Sequence, residues 1–179
     1  TTTGMVVNCV RTYSNFYLYN YNSSIDAVMG NLTVKATGSS EVHGWRTLGA
    51  LNMSGGGYIY VSSNAGSAFV ATSLTTVTNS QIYIGYANSY GHGNWTSVAI
   101  SGATAVGAGG QISIIGAQSG FTGTNATFTG AVTVAAGGVF GAYINATASF
   151  STVTTSGTLA SPCIFTVYGT TAGYPIYTF

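Results

Sequence analysis

The chain is expected to fold as an all-β protein, with a β-sandwich or jelly-roll-like head. Three observations predict this. Leu, Glu, Lys and Arg are scarce, which removes most of the good helix formers. Val, Ile, Thr, Tyr and Phe are abundant, as pleated, half-buried strands require. Short apolar runs recur about every ten residues between turn signals, a spacing that sandwiches and jelly rolls share.

The expected strands follow in order. Met5–Val10 is apolar at Met5, Val6, Val7 and Val10, and Phe16–Tyr21 is aromatic. Ile25–Lys35 sets Val28, Leu32 and Val34 on one face with Gly30, and Asn31 and Thr33 on the other. Val42–Leu48, Gly57–Val61, Ser67–Ala71, Gln81–Tyr86, Trp95–Ile100 and Gln111–Ile115 are short β-branched or aromatic runs. Ala126–Val134 places Phe128, Val132 and Val134 opposite Thr127, Thr129 and Thr133. Val139–Ala148, Phe150–Thr154, Cys163–Tyr168 and Pro175–Phe179 complete the set. Glycines at 55–57, 107, 109, 110, 116, 120, 137 and 138 mark the turns or bulges between them. A parallel β-helix is the alternative, because runs such as Leu-Thr-Thr-Val-Thr at 74–78 and the Thr/Gly/Val run at 127–134 suit solenoid rungs. A solenoid should repeat at a fixed period, and no constant period is visible.

Charge narrows the function. The strong cations are Arg11, Lys35 and Arg46, the acids Asp26 and Glu41, and charged residues make up 3% of the chain. Soluble domains carry about a quarter. No basic patch can form, which excludes nucleic acid as a partner. With two carboxylates, acid has little to protonate, so the composition suits an acidic exterior. The start, Thr1-Thr2-Thr3-Gly4, reads as a mature end after signal cleavage. The longest mostly apolar run, 131–144, is too short to span a bilayer as a helix.

Catalysis is not expected. Paired-carboxylate chemistry would have to use Asp26 and Glu41. No Gly-x-Ser-x-Gly elbow is present, and the glycine clusters lack the Lys-Ser/Thr of a phosphate loop. Glu41 and His43 share a face of one strand, and His92 sits in a turn-like Tyr-Gly-His-Gly-Asn, but no ligand spacing joins them. No cofactor or metal is expected.

Six Asn-x-Ser/Thr sequons occur, at Asn22, Asn31, Asn52, Asn94, Asn125 and Asn145. Alternation turns Asn31, Asn125 and Asn145 outward, where N-glycans would supply the solubility that charge does not. The two cysteines, Cys9 and Cys163, lie near opposite ends of the chain. In a secreted protein they predict one disulfide, within a subunit or between two. Tyr13, Tyr17, Tyr19 and Tyr21 share a face opposite Phe16, Leu18 and Asn20, so this segment belongs either to a buried central strand or to an interface.

Taken over the whole chain, these features resemble the subunits of the thin extracellular threads of thermoacidophilic archaea of the Sulfolobus group. The resemblance rests on the Thr/Ser/Gly/Tyr-rich composition, the near absence of charge, the start of the chain and the six sequons. It implies a head-to-tail homopolymer of identical subunits under N-glycans, joined by donor-strand complementation and serving adhesion or biofilm formation. Residues 1–12 would then be a donor strand or tail, with Met5, Val6, Val7 and Val10 as assembly residues, and 13–179 the head. The alternative is a monomeric extracellular adhesin or carbohydrate-binding domain, which an exposed aromatic platform would favour. A threonine-ladder ice-binding surface is a third and weaker reading.

Overall fold

The structure, a computed structural model, describes residues 2–8, 15–20, 26–63, 68–85, 95–115, 125–143, 148–168 and 176–178. Among them there is no helix. The strands are β1 (Thr2–Asn8), β2 (Tyr17–Tyr19), β3 (Ala27–Lys35), β4 (Ser39–His43), β5 (Trp45–Thr47), β6 (Ala50–Ser54), β7 (Tyr58–Ser62), β8 (Ala68–Ala71) and β9 (Ser73–Thr76). They continue as β10 (Gln81–Ile84), β11 (Ser97–Ile100), β12 (Thr104–Val106), β13 (Gln111–Ile115), β14 (Asn125–Val134), β15 (Val139–Tyr143), β16 (Ala148–Thr155), β17 (Ile164–Tyr168) and β18 (Ile176–Thr178).

The all-β expectation is met, but the strand order differs from a sandwich or jelly roll. Those folds are antiparallel, whereas every pairing among the described residues is parallel except β17 with β18. The chain alternates between two sheets and advances by one strand at each pass. The first sheet runs β1, β3, β6, β9, β12, β14, with β16 beside β14 and with β5, β8 and β11 along its other half; the second runs β2, β4, β7, β10, β13, β15, β17, β18. This winding is that of the alternative, a parallel β-helix.

Stacked like on like, the rungs build the core as columns. One inward column is Leu32, Leu51, Leu74, Thr104, Val132, Val153. Its counterpart in the second sheet is Ser40, Ile59, Ile82, Ile112, Phe140, Phe165. All of these are buried except the terminal Val153, which is 37% exposed. Each fully buried Val, Leu, Ile or Phe contributes about 1.5–3 kcal/mol. Aromatic stacking reinforces the last turns, with ring centroids 5.0 Å apart for Phe128 and Phe150 and 5.1 Å for Phe140 and Phe165.

One corner of the coil is uniform. Five positions separate Val34 from Ser39, Met53 from Tyr58, Thr76 from Gln81, Val106 from Gln111 and Val134 from Val139. At the third residue of this corner Gly56, Asn79, Gly109 and Gly137 all have positive φ. That left-handed turn is why glycine or asparagine recurs there. A second glycine line marks the interruption of the first sheet, where a Cβ on Gly130 would stand 2.1 Å from the carbonyl oxygen of Gly102.

The Leu32 column carries a local defect. Thr104 interrupts an otherwise aliphatic column, and its Oγ1 is buried without a hydrogen-bond partner. An unsatisfied buried hydroxyl costs about 1–3 kcal/mol. Thr104→Val should therefore raise the denaturant midpoint with an unchanged m-value, and an unchanged or lowered midpoint would refute this account.

Candidate functional site

The outer face of the second sheet carries the aromatic residues. Its register brings Tyr17, Glu41, Tyr60, Tyr83 and Ser113 into one column and Ser39, Tyr58, Gln81 and Gln111 into the next. Tyr60 and Tyr83 stack at 4.9 Å with 26° between planes, and Tyr58 stands nearly perpendicular to both. The Tyr83 hydroxyl donates to Gln81 Oε1, and Gln111 Nε2 donates to Ser113 Oγ at 2.9 Å. Tyr19 donates to Glu41 Oε2 at 3.0 Å, and Tyr17 and Tyr19 stack at 6.0 Å. The result is a carpet of phenols and amides around the carboxylate of Glu41, its side chains held by one another.

Tyr17 and Tyr19 share the outer face as alternation predicted, while Phe16 and Leu18 pack on the core. Their strand is not central: β2 ends the second sheet, and Tyr17 is 52% exposed. Tyr13 and Tyr21 lie outside the described residues.

Glu41 and His43 stand two apart on β4, as expected. His43 Nδ1 is 2.9 Å from Ser62 Oγ, and both residues are buried. Nearby, Ser63 donates to Asp26 Oδ2 at 2.6 Å. Among the described residues no group of three or more His, Cys, Asp or Glu side chains could hold a metal ion. His92 lies outside the described residues.

The outer face of the first sheet has a different chemistry. Thr33, Asn52, Thr75, Ala105, Thr133 and Thr154 form a column of small, uncharged side chains. Among the sequons, Asn31 and Asn125 are exposed on this sheet and Asn52 is half-buried. Asn31 Oδ1 accepts from the Ala50 amide at 2.8 Å, and Asn52 Nδ2 donates to Thr33 Oγ1 at 3.3 Å. Asn22, Asn94 and Asn145 lie outside the described residues.

The expected assembly segment is β1. It pairs in parallel with β3 of its own chain, with Met5 opposite Leu32, Val6 opposite Thr33 and Val7 opposite Val34. By register, Met5 and Val7 thus stand opposite buried Leu32 and Val34, and Val6 opposite half-buried Thr33. Val10 lies outside the described residues.

Cys163 is buried immediately before β17, in the last turn of the coil. Cys9 lies outside the described residues, but its chain neighbour Asn8 closes β1 in the first turn. Six strand spacings separate β1 from β16 along the first sheet. At about 4.8 Å each this is about 29 Å, against about 4.4–6.8 Å between the Cα atoms of a disulfide. With Asn8 and Cys163 in opposite end turns, a Cys9–Cys163 bond is expected to join two subunits, not to close within one. Non-reducing peptide mapping should find the linked pair in polymer and not in isolated monomer; recovery of the link from monomer would refute the intersubunit assignment.

Among the described residues no helix is long and apolar enough to cross a membrane. No family model, curated protein or solved structure matches the chain.

Proposed function

We propose that this chain is a structural subunit of an extracellular, glycosylated cell-surface filament, for adhesion or biofilm formation, joined to identical subunits head to tail through its N-terminal strand. The observation that carries the reading is the coil with its outer surface. A stack of hydrogen-bonded rungs suits a mechanical element, because each turn buries its apolar columns against the next. Its first-sheet face carries the uncharged threonine column, has Lys35 as its exposed charge on β3, and presents Asn31 and Asn125 to solvent. Sugars at these positions supply hydration without charge, which fits an acidic exterior. Secretion, the six glycosylation sites and strand donation from residues 1–12 to the head at 13–179 belong to this proposal, as does the kinship with archaeal thread subunits. No catalytic, cofactor or metal role enters it.

Two measurements test the reading. Negative-stain images of native material should show filaments, and intact glycopeptide analysis should find sugars on several sequons, Asn31 and Asn125 among them. Monomeric particles, or unmodified peptides at all six sequons, would overturn the corresponding part.

The tyrosine carpet on the second sheet favours a second reading, an adhesin or carbohydrate-binding domain. It ranks below the first because Tyr60 and Tyr83 turn their ring faces to each other, which leaves less ring surface for a sugar to stack on. Retention on immobilised polysaccharide that Tyr60→Ala abolishes would reverse the order.

A further inference from the structure

The two ends of the first sheet are edges of the same kind. At one end β1 pairs only with β3 among the described residues; at the other β16 pairs only with β14. Both strands are long, seven and eight residues. Because the sheet is parallel throughout, both run in the same direction. Soluble proteins normally defend such edges with charge, proline, bulges or short strands. Neither edge carries a charged residue or a proline: β1 reads TTGMVVN and β16 reads ASFSTVTT.

The β16 end is also unfinished. In the second sheet the corresponding end is closed by the antiparallel strand β18. In the first sheet the inward Leu32 column stops at Val153, 37% exposed, and Leu159 beyond it is fully exposed. The Ser156 amide donates to the carbonyl of Val134 on β14. Since successive residues of a strand direct their amides to opposite sides, those of Val153 and Thr155 point to the open edge.

We infer that the open edge of β16 is the docking site for β1 of a second copy, so that the first sheet runs unbroken through the subunit joint. This rests on the filament reading and names the acceptor that reading leaves open. In this geometry β1 keeps its own β3 and offers its second edge to the neighbour. A strand tethered at the first turn cannot reach a neighbour's β3 across a head-to-tail stack, because the whole coil intervenes. It does meet the neighbour's last turn. The match continues the columns: Met5 shares the Leu32 register that ends at Val153, and Val7 the Val34 register that ends at Thr155.

The test uses the full chain. Thr155→Pro removes one outward amide and leaves the amides facing β14 intact; Val153→Lys sets a charge at the end of the core column. Each should raise the concentration for half-assembly at least tenfold by analytical ultracentrifugation, with far-UV circular dichroism of the monomer unchanged. Wild-type polymers that both variants form equally well would overturn the β16 joint and leave the filament reading standing. A wild-type chain that stays monomeric would overturn both. Hydrogen exchange is independent of any variant. Peptides covering 148–155 should gain protection on assembly, and equal exchange in monomer and polymer would refute the joint.

Discussion

Replacing Phe140 by alanine is expected to remove a large share of the stability of the coil. Phe140 is fully buried, stacks on Phe165 at 5.1 Å and meets Phe128 and Phe150 edge-on at 5.4 and 5.8 Å. It links the two sheets in the turn where the next rung is the last. Truncating a buried phenylalanine costs about 3–5 kcal/mol, as lost transfer energy plus the cavity left behind. A domain of this size holds about 5–15 kcal/mol in total. Equilibrium urea denaturation should show the loss as a lowered midpoint, and a change below about 1 kcal/mol would mean that Phe140 is not a core residue. Leu159→Ala is the contrast: a fully exposed side chain should change stability by no more than about 0.5 kcal/mol.

The strand content was readable because the alternation is local. In β14 the burial follows the alternation over Ala126, Phe128, Val132 and Val134, and the face assigned to Asn125 is the exposed one. The topology was readable too, from a different signal. Blocks beginning at Leu32, Leu51, Leu74, Thr104 and Val132 align without gaps over eleven residues: LTVKATGSSEV, LNMSGGGYIYV, LTTVTNSQIYI, TAVGAGGQISI and VTVAAGGVFGA. Each block holds one first-sheet strand end, the uniform corner and one second-sheet strand. The distance from one block to the next varies from nineteen to thirty residues. A search for a constant period therefore finds none. The variation lies in the returns from the second sheet to the first. Gly44 alone joins β4 to β5, whereas twelve residues separate β10 from β11. Stacking constrains a corner only where its backbone must pack against the corners above and below. The uniform corner does so through the left-handed Gly56, Asn79, Gly109 and Gly137.

The tyrosine carpet was half legible. Tyr17 and Tyr19 stood out because they are adjacent in sequence. Tyr60 and Tyr83 meet only through the register of β7 with β10. No local pattern announces such a pair, but the block alignment does, since both tyrosines occupy the same position. Whether a Cys9–Cys163 disulfide would lie within a subunit or between two was not legible for a related reason. Two cysteines near opposite ends of a sequence are brought together by many antiparallel folds, but a coil keeps its ends as far apart as its height.

Deleting Thr1–Val7 is expected to abolish polymers while leaving a folded head. β1 contributes one outer rung, and the columns from β3 onward remain closed by their own neighbours. The loss to the monomer is thus one edge pairing, partly offset because ordering a terminal strand costs about 1–2 kcal/mol per residue of backbone. The loss to a polymer is the joint itself. Sedimentation and electron microscopy of the truncated chain should find monomers at concentrations where the intact chain forms filaments, and added peptide spanning 1–10 should bind the head, because it restores the missing rung. Filaments of normal length from the truncated protein would end the proposal that this strand connects subunits. Two substitutions sharpen the result. Val7 is in register with buried Val34 and Val6 with half-buried Thr33 on the outward column. A carboxylate in register with buried Val34 is expected to be desolvated without a partner, and one in register with half-buried Thr33 to stay nearer water. Val7→Asp should therefore weaken assembly far more than Val6→Asp. Equal effects would show that β1 does not hold this register in the assembled state, and a larger effect at Val6 would turn the strand over, with its other face toward the core.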